Sequence, residues 1–148
     1  MKNVTAMGKV LTRHVPALTW ALLTAVALLM PGDPLQEAGG WFDLPEWLEL
    51  LADKLGHWLG PWADKLVHFG LFLVLALLVR RSFYDTSRDS EGALKTLAVV
   101  LPYIVVLEIA QIWIPGRGWE TMDLVAGFAG ALVAMLLLQV HGTSRMVS

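Results

Sequence analysis

Four long apolar runs, separated by charged stretches, constrain this chain more than any other feature of its sequence. The runs cover about residues 15–30, 63–80, 93–114 and 122–140. A helix that crosses a bilayer needs roughly 17–25 predominantly apolar residues, and every run except the first reaches that length comfortably. The sequence therefore predicts an all-α integral membrane protein, with a four-helix bundle forming a single domain over residues 1–148.

Composition supports this prediction and excludes some classes of function. Charged residues make up only 16% of the chain, against roughly 25% in soluble domains. The formal net charge of -2 argues against a nucleic-acid-binding protein, which would carry a basic face. Because the sequence contains no cysteine, disulfides and thiolate chemistry are excluded.

The first run is the shortest, so a cleaved signal peptide is an alternative to a retained span. Lys2, Lys9 and Arg13 form the kind of basic segment that precedes the apolar core of a signal. No convincing small-x-small cleavage motif follows Met30 directly, and the apolar run is long for a signal. A retained span is therefore favoured.

The basic residues predict the orientation of the spans, because cytoplasmic loops are enriched in lysine and arginine. Eight of the eleven fall on one side, namely Lys2, Lys9, Arg13, Arg80, Arg81, Arg88, Lys95 and Arg145. Only Lys54, Lys65 and Arg117 fall on the other side. We therefore expect a multi-pass protein with both termini in the cytoplasm and with segments 31–62 and 116–121 facing outward.

The first outward segment contains an amphipathic pattern at about residues 44–59. Its apolar residues at helical spacing are Leu44, Trp47, Leu48, Leu51, Leu55, Trp58 and Leu59. Six of the seven tryptophans lie at or near the outer interface, as in an aromatic belt: Trp41, Trp47, Trp58, Trp62, Trp113 and Trp119. The pattern predicts an interfacial helix that shields the bundle or gates a substrate, and its composition favours the shield.

Polar residues interrupt the spans near their predicted outer ends. Asp64 and His68 are four residues apart and Glu108 and Gln111 are three apart, so each pair shares one helix face. A carboxylate as deep as Glu108 is costly in lipid and should face the bundle interior with a partner. With Lys65, Arg117 and Asp123, these residues should converge in one outward-facing polar pocket.

The candidate roles divide by chemistry. If the protein is an enzyme, the candidate catalytic residues are Glu108, His68 and Asp64, and the candidate ligand-binding residues are Lys65, Gln111, Arg117 and Asp123. No cofactor or resident metal is predicted. Carboxylate and imidazole groups on Asp64, His68, Glu108 and Asp123 are nevertheless a chemically reasonable set for a divalent metal.

Each residue also has a structural explanation. Asp64 and Asp123 can cap helices, Lys65 can snorkel to the interface, and a neutral His68 can be satisfied by Asp64 or Glu108. Gln111 can bond between helices, and Arg117 can pair with Glu120 or Asp123 at the surface. The alternative for Arg117 is capture of a phosphate or carboxylate by its planar guanidinium.

Two further patterns concern packing. Gly127, Gly130, Ala131 and Ala134 in the fourth span are spaced so that helix backbones can approach closely. Pro102 should kink the third span near Ala98, because proline removes a backbone hydrogen bond.

The ordered polar motifs resemble those of the VanZ-like family, which is named for a glycopeptide (teicoplanin) resistance protein. The matching pieces are Asp64-Lys65-Leu66-Val67-His68, Glu108-Ile109-Ala110-Gln111, Pro115-Gly116-Arg117 and Asp123 through Gly127 to Gly130. They cover residues 64–134, roughly half the chain. The family pattern has asparagine where this chain has Gly127, so one contact is lost here. The resemblance implies a protein of the bacterial cytoplasmic (inner) membrane that is linked to antibiotic tolerance in the cell envelope.

Three functions are consistent with these observations. The first is binding or transport of an anionic lipid-linked head group, such as polyprenyl phosphate or a phospholipid, and the mixed-charge pocket favours it. The second is an integral membrane enzyme, acid–base or metal-assisted, that acts on an envelope lipid or sugar precursor. The third is a structural subunit, either in a homo-oligomer or in a larger envelope complex.

Overall fold

The computed structural model describes residues 2–30, 62–83 and 89–144, together with the isolated positions 50, 54 and 60. Its regular structure in these ranges consists of four long helices: α1 (Lys2–Leu29), α2 (Trp62–Ser82), α3 (Asp89–Gln111) and α4 (Thr121–Ser144). All four contain a segment that is long and apolar enough to cross a membrane. The prediction of an all-helical, multi-pass membrane bundle is therefore confirmed.

The apolar surface of the bundle is distributed as lipid requires. Large side chains such as Leu22, Leu94 and Met122 are exposed on the outside of the helices, where they would be unfavourable in water. Phe72, Ile104 and other buried side chains form the interior. Because lipid tails are as apolar as these side chains, the helices must be held together by close packing and hydrogen bonds.

The most extensive interface joins α2 to α4. A Cβ atom added at Gly130 would lie 2.2 Å from the Phe69 carbonyl oxygen, so the two backbones are in direct contact there. At Gly127 an added Cβ would meet the Phe72 ring at 2.9 Å and Ile104 at 3.1 Å. The predicted role of these small residues in close helix packing is confirmed.

Side chains on α2 and α3 also bind main-chain oxygens of α1. The Tyr103 hydroxyl donates to the Ala21 carbonyl, and the Ser82 hydroxyl lies 3.4 Å from the Arg13 carbonyl oxygen. Trp20 on α1 donates in the other direction, to the Leu71 carbonyl at 3.0 Å. The first helix is therefore docked through its backbone carbonyls as well as through side chains such as Trp20 and Leu28.

Helix α3 ends at Gln111, three residues before the predicted end of the span. Residues 112–114 continue in tight turns, with Ile112, Trp113 and Ile114 each donating to the carbonyl three residues earlier. Pro115 has no N–H and disfavours helical geometry in the residue before it, so the helix cannot continue. Gly116 then takes a φ of 80°, a conformation that glycine adopts at little cost.

The first span and the interfacial helix are the remaining predicted elements. Helix α1 begins at Lys2 and its apolar segment spans Thr12–Leu29, so the first run is longer than its apolar core suggests. The predicted interfacial helix at about 44–59 lies outside the described residues, apart from positions 50 and 54.

Candidate functional site

Polar groups from α2, α3, α4 and the α3–α4 connection meet at one end of the bundle, which we call the site end. Asp64, in the first turn of α2, and Asp123, in the first turn of α4, lie where the helix dipole favours a carboxylate. Glu108 lies one turn before the end of α3. The chain order of the helices brings these positions together, because α2 and α4 begin at the end where α3 finishes.

Lys65 is the cation at the centre of the site. Its ammonium forms an ion pair with Glu120, and its Nζ lies 3.1 Å from Asp123 Oδ1. The Asp123 carboxylate is only 5% exposed, and the Lys65 side chain is 18% exposed. A buried carboxylate needs such a partner, because removal of its charge from water is costly.

Glu120 was missed as a site residue by sequence reasoning, which considered it only as a surface partner of Arg117. Its carbonyl accepts the backbone N–H groups of Asp123 and Leu124, so it is the N-cap residue of α4. Only its position immediately before an apolar run could have indicated this role, and that signal is weak.

Glu108 is buried, with 2% of its surface exposed. Its Oε1 accepts a hydrogen bond of 2.9 Å from the backbone N–H of Glu120, at the positive end of the α4 dipole. The carboxylate also interacts electrostatically with His68, Asp123 and Asp64. Glu108 therefore joins the end of α3 to the start of α4.

His68 is the most deeply buried titratable side chain of the site, with 1% exposed. Its Nδ1 lies 2.9 Å from the Asp64 carbonyl oxygen and 3.8 Å from Asp64 Oδ1. A carbonyl only accepts, so Nδ1 is the donor and the neutral ring carries its lone pair on Nε2. Nε2 is buried and has no hydrogen-bond partner among the residues that the structure describes.

Gln111 and Arg117, both predicted as ligand-binding residues, contact α1 in this structure. Gln111 Nε2 donates to the Leu28 carbonyl at 3.1 Å, and Arg117 Nε donates to the Met30 carbonyl at 3.2 Å. The last carbonyls of a helix lack partners within the helix, so these donors cap α1. Arg117 remains half-buried at the rim of the site.

The potential metal ligands form a smaller group. Asp64, His68 and Asp123 each offer a ligand atom, and the three atoms lie within 4.8 Å of one another. Glu108, the fourth residue considered from the sequence, is not in this group.

Negative charge predominates at the site end. The described carboxylates there are Asp64, Glu108, Glu120 and Asp123, and the cations are Lys65 and Arg117. Lys65 is already paired with two of the carboxylates. The site is therefore better suited to hydrogen-bond donors and cations than to a bare anion.

An aromatic ring fills the space next to Gly127, the position at which the motif of the VanZ-like family has asparagine. The Phe72 ring occupies the space next to the Gly127 Cα, and Phe72 is only 1% exposed. The Phe72 and His68 rings are 6.3 Å apart between centroids. An apolar wall thus lies next to the site where the family pattern has a polar side chain.

Comparison with known proteins gives one match. A sequence model of the family described as VanZ/LLP1 matches residues 12–142, and this range includes all four membrane-spanning segments in full. No curated protein and no solved structure matches the chain.

Proposed function

This chain belongs to the VanZ/LLP1 family, and we propose that it binds the head group of an anionic, lipid-linked molecule of the cell envelope. One observation carries the proposal: three helices and a connecting turn bring a mixed-charge cluster, including the buried Glu108 and His68, to one end of a membrane bundle. Intramembrane ionisable residues are by default functional candidates.

The position of the cluster supports a head-group ligand. Trp62, Trp113 and Trp119 are exposed at the same end of the bundle. Tryptophan is enriched at the level of lipid head groups. A ligand anchored in the membrane would therefore present its polar part at the depth of these residues.

The charge distribution narrows the chemistry of the ligand. Arg117, at the rim, is the cation whose guanidinium is not held by a carboxylate among the described residues, and it suits a phosphate. The deeper carboxylates accept hydrogen bonds, so they suit hydroxyl or amino groups. The proposed head group therefore carries sugar hydroxyls or an amine in addition to its phosphate.

The proposal includes an orientation and a physiological role. The site end faces outward across the bacterial cytoplasmic membrane, with both termini in the cytoplasm, as the distribution of basic residues indicates. The proposed role is a contribution to tolerance of glycopeptide antibiotics, as the resemblance to the VanZ-like family implies. A deletion strain should be more susceptible, and complementation with Glu108→Gln should fail if the site is responsible.

The direct test is native mass spectrometry of protein purified with its endogenous lipid. We expect a bound phospholipid or polyprenyl-linked species that is retained by the wild type and depleted in Arg117→Ala. Arg81→Ala is the matched control, because Arg81 is an exposed arginine at the opposite end of the bundle. Thermal unfolding of each variant separates loss of ligand from loss of the α1 cap.

Three results would contradict the proposal. Absence of any co-purified lipid would remove its basis, and equal lipid retention by both arginine variants would exclude a phosphate contact at Arg117. If Glu108→Gln folds and complements fully, a structural subunit would explain the protein better.

Acid–base catalysis on the same lipid is a second candidate, favoured by the buried Nε2 of His68. A general base must lie within hydrogen-bond reach of the proton that it removes, so a substrate would have to enter the bundle as far as His68. Turnover of the bound lipid by the wild type, and its absence in His68→Gln, would distinguish an enzyme from a binding protein.

A further inference from the structure

We propose that Asp64, His68 and Asp123 form a binding site for one divalent transition-metal ion, at the start of α2 and α4. This site does not require the lipid proposed above, and the two are tested separately.

The first support is the geometry of the donors. One ligand atom from each of these residues lies within 4.8 Å of the other two. Distances of this size leave room for an ion that takes ligands at about 2.0–2.2 Å, with water in the remaining positions. An imidazole with two carboxylates suits zinc or manganese, because imidazole favours the former and carboxylates the latter.

The orientation of His68 gives independent support. Its Nδ1 is held by the Asp64 carbonyl at 2.9 Å, and a hydrogen bond from the other ring nitrogen to a carbonyl typically fixes the tautomer of a metal-binding histidine. The Nε2 atom, at the far end of the ring from the α2 backbone, is buried and unpartnered among the described residues. Asp123, on the facing helix α4, offers a carboxylate oxygen in the same group of three ligand atoms.

Lys65 does not exclude the ion. Its ammonium is near one oxygen of Asp123 and also pairs with Glu120. Asp123 Oδ1 is buried and has no hydrogen-bond partner among the described residues, and a carboxylate has about four lone-pair sites, so Asp123 can contact Lys65 and still bind an ion. The charge balance favours a cation, since carboxylates outnumber basic groups at the site end.

Asp64 gives a dissolved ion access to the proposed metal site. The Asp64 side chain is 48% exposed, so an ion from solution can bind there while it also contacts the two buried ligands. Glu108 would remain outside the ligand set, where it joins α3 to the N-cap of α4.

The test uses Mn²⁺ as the probe, added to chelator-treated full-length protein in detergent. Electron paramagnetic resonance measures free and bound Mn²⁺, and electron spin echo modulation reports a nitrogen ligand directly. We expect one Mn²⁺ per chain with a ¹⁴N modulation. His68→Gln should remove the modulation and weaken binding at least tenfold.

The matched controls lie at the opposite end of the bundle. His14→Gln changes a histidine that packs against Phe83, and Glu91→Gln changes a carboxylate paired with Lys95. Neither should alter Mn²⁺ binding. If His68→Gln does not fold, Asp64→Asn at its half-exposed position should fold and should also weaken binding.

The proposal is overturned if the wild type binds no Mn²⁺ stoichiometrically, or if the nitrogen signal persists in folded His68→Gln. Unchanged affinity in Asp64→Asn would also overturn it. Because the lipid test rests on Arg117→Ala and needs no metal, either proposal can fail while the other stands.

Discussion

Substitution of Gly130 by alanine tests the closest contact in the bundle. The added methyl carbon would lie 2.2 Å from the Phe69 carbonyl oxygen and 3.1 Å from the Leu73 backbone nitrogen. Both atoms belong to the α2 backbone, so no side-chain rotation relieves the overlap. The two helices must separate by about 1 Å to restore ordinary van der Waals contact.

The expected cost follows from two opposing effects. Overpacking of a tight interface costs about 1–3 kcal/mol. A clash with backbone atoms should cost an amount near the upper end of this range, because no side-chain rotation relieves it. Alanine is favoured over glycine within a helix by about 1 kcal/mol. The net loss in the free energy of unfolding should therefore be about 2 kcal/mol, which lowers the melting temperature by roughly 4–8 °C for a chain of this length.

Gly70→Ala on α2 is the matched control, because an added Cβ there meets nothing within 4 Å. This variant should show only the helix-propensity gain and should melt at or slightly above the wild-type temperature. Both variants can be measured by tryptophan fluorescence during thermal unfolding in one detergent. Equal melting temperatures for the two alanine variants would refute the inferred backbone contact.

Three further predictions concern the site and the topology. Gly127→Asn should destabilise the protein, because its Cβ would meet the Phe72 ring at 2.9 Å, and adding Phe72→Leu should recover part of the loss. If the two substitutions had additive effects on the free energy of unfolding, a clash between the new side chain at position 127 and the Phe72 ring would be excluded. Lys65→Met should destabilise the fold because it leaves the buried Asp123 carboxylate without its cation, and adding Asp123→Asn should recover part of the loss; equal losses in the single and double variants would exclude the ion-pair explanation. With no natural cysteine in the chain, Gly118→Cys should react with an impermeant maleimide in intact cells and Arg81→Cys only after lysis. The reverse pattern would refute the proposed orientation.

The architecture could be predicted from the sequence because lipid imposes a simple requirement on a spanning segment. The apolar runs alone indicated four membrane helices. Since successive spans alternate in direction, polar positions such as Asp64, Glu108 and Asp123 were expected at the same end. The structure places them there, with Glu108 hydrogen-bonded to the start of α4.

The partners of the site residues could not be predicted, because they depend on which helices are neighbours. A helix that is apolar all round gives no periodicity that identifies the face against a given neighbour. The sequence suggested Glu120 or Asp123 as the ion-pair partner of Arg117. In the structure, the close packing of α2 on α4 places both carboxylates next to Lys65. Arg117 instead turns toward the end of α1.

The docking of α1 has a consequence for how its sequence can change. Tyr103, Gln111 and Arg117 bind carbonyl oxygens of α1, and every amino acid supplies a carbonyl oxygen. The polar side chains that position this helix therefore lie mainly in α3 and in the turn that follows it. Substitution of exposed α1 residues such as Leu22 by other apolar residues should therefore leave the position of the helix unaltered, whereas the buried Leu28, and Trp20 with its hydrogen bond to the Leu71 carbonyl, are constrained.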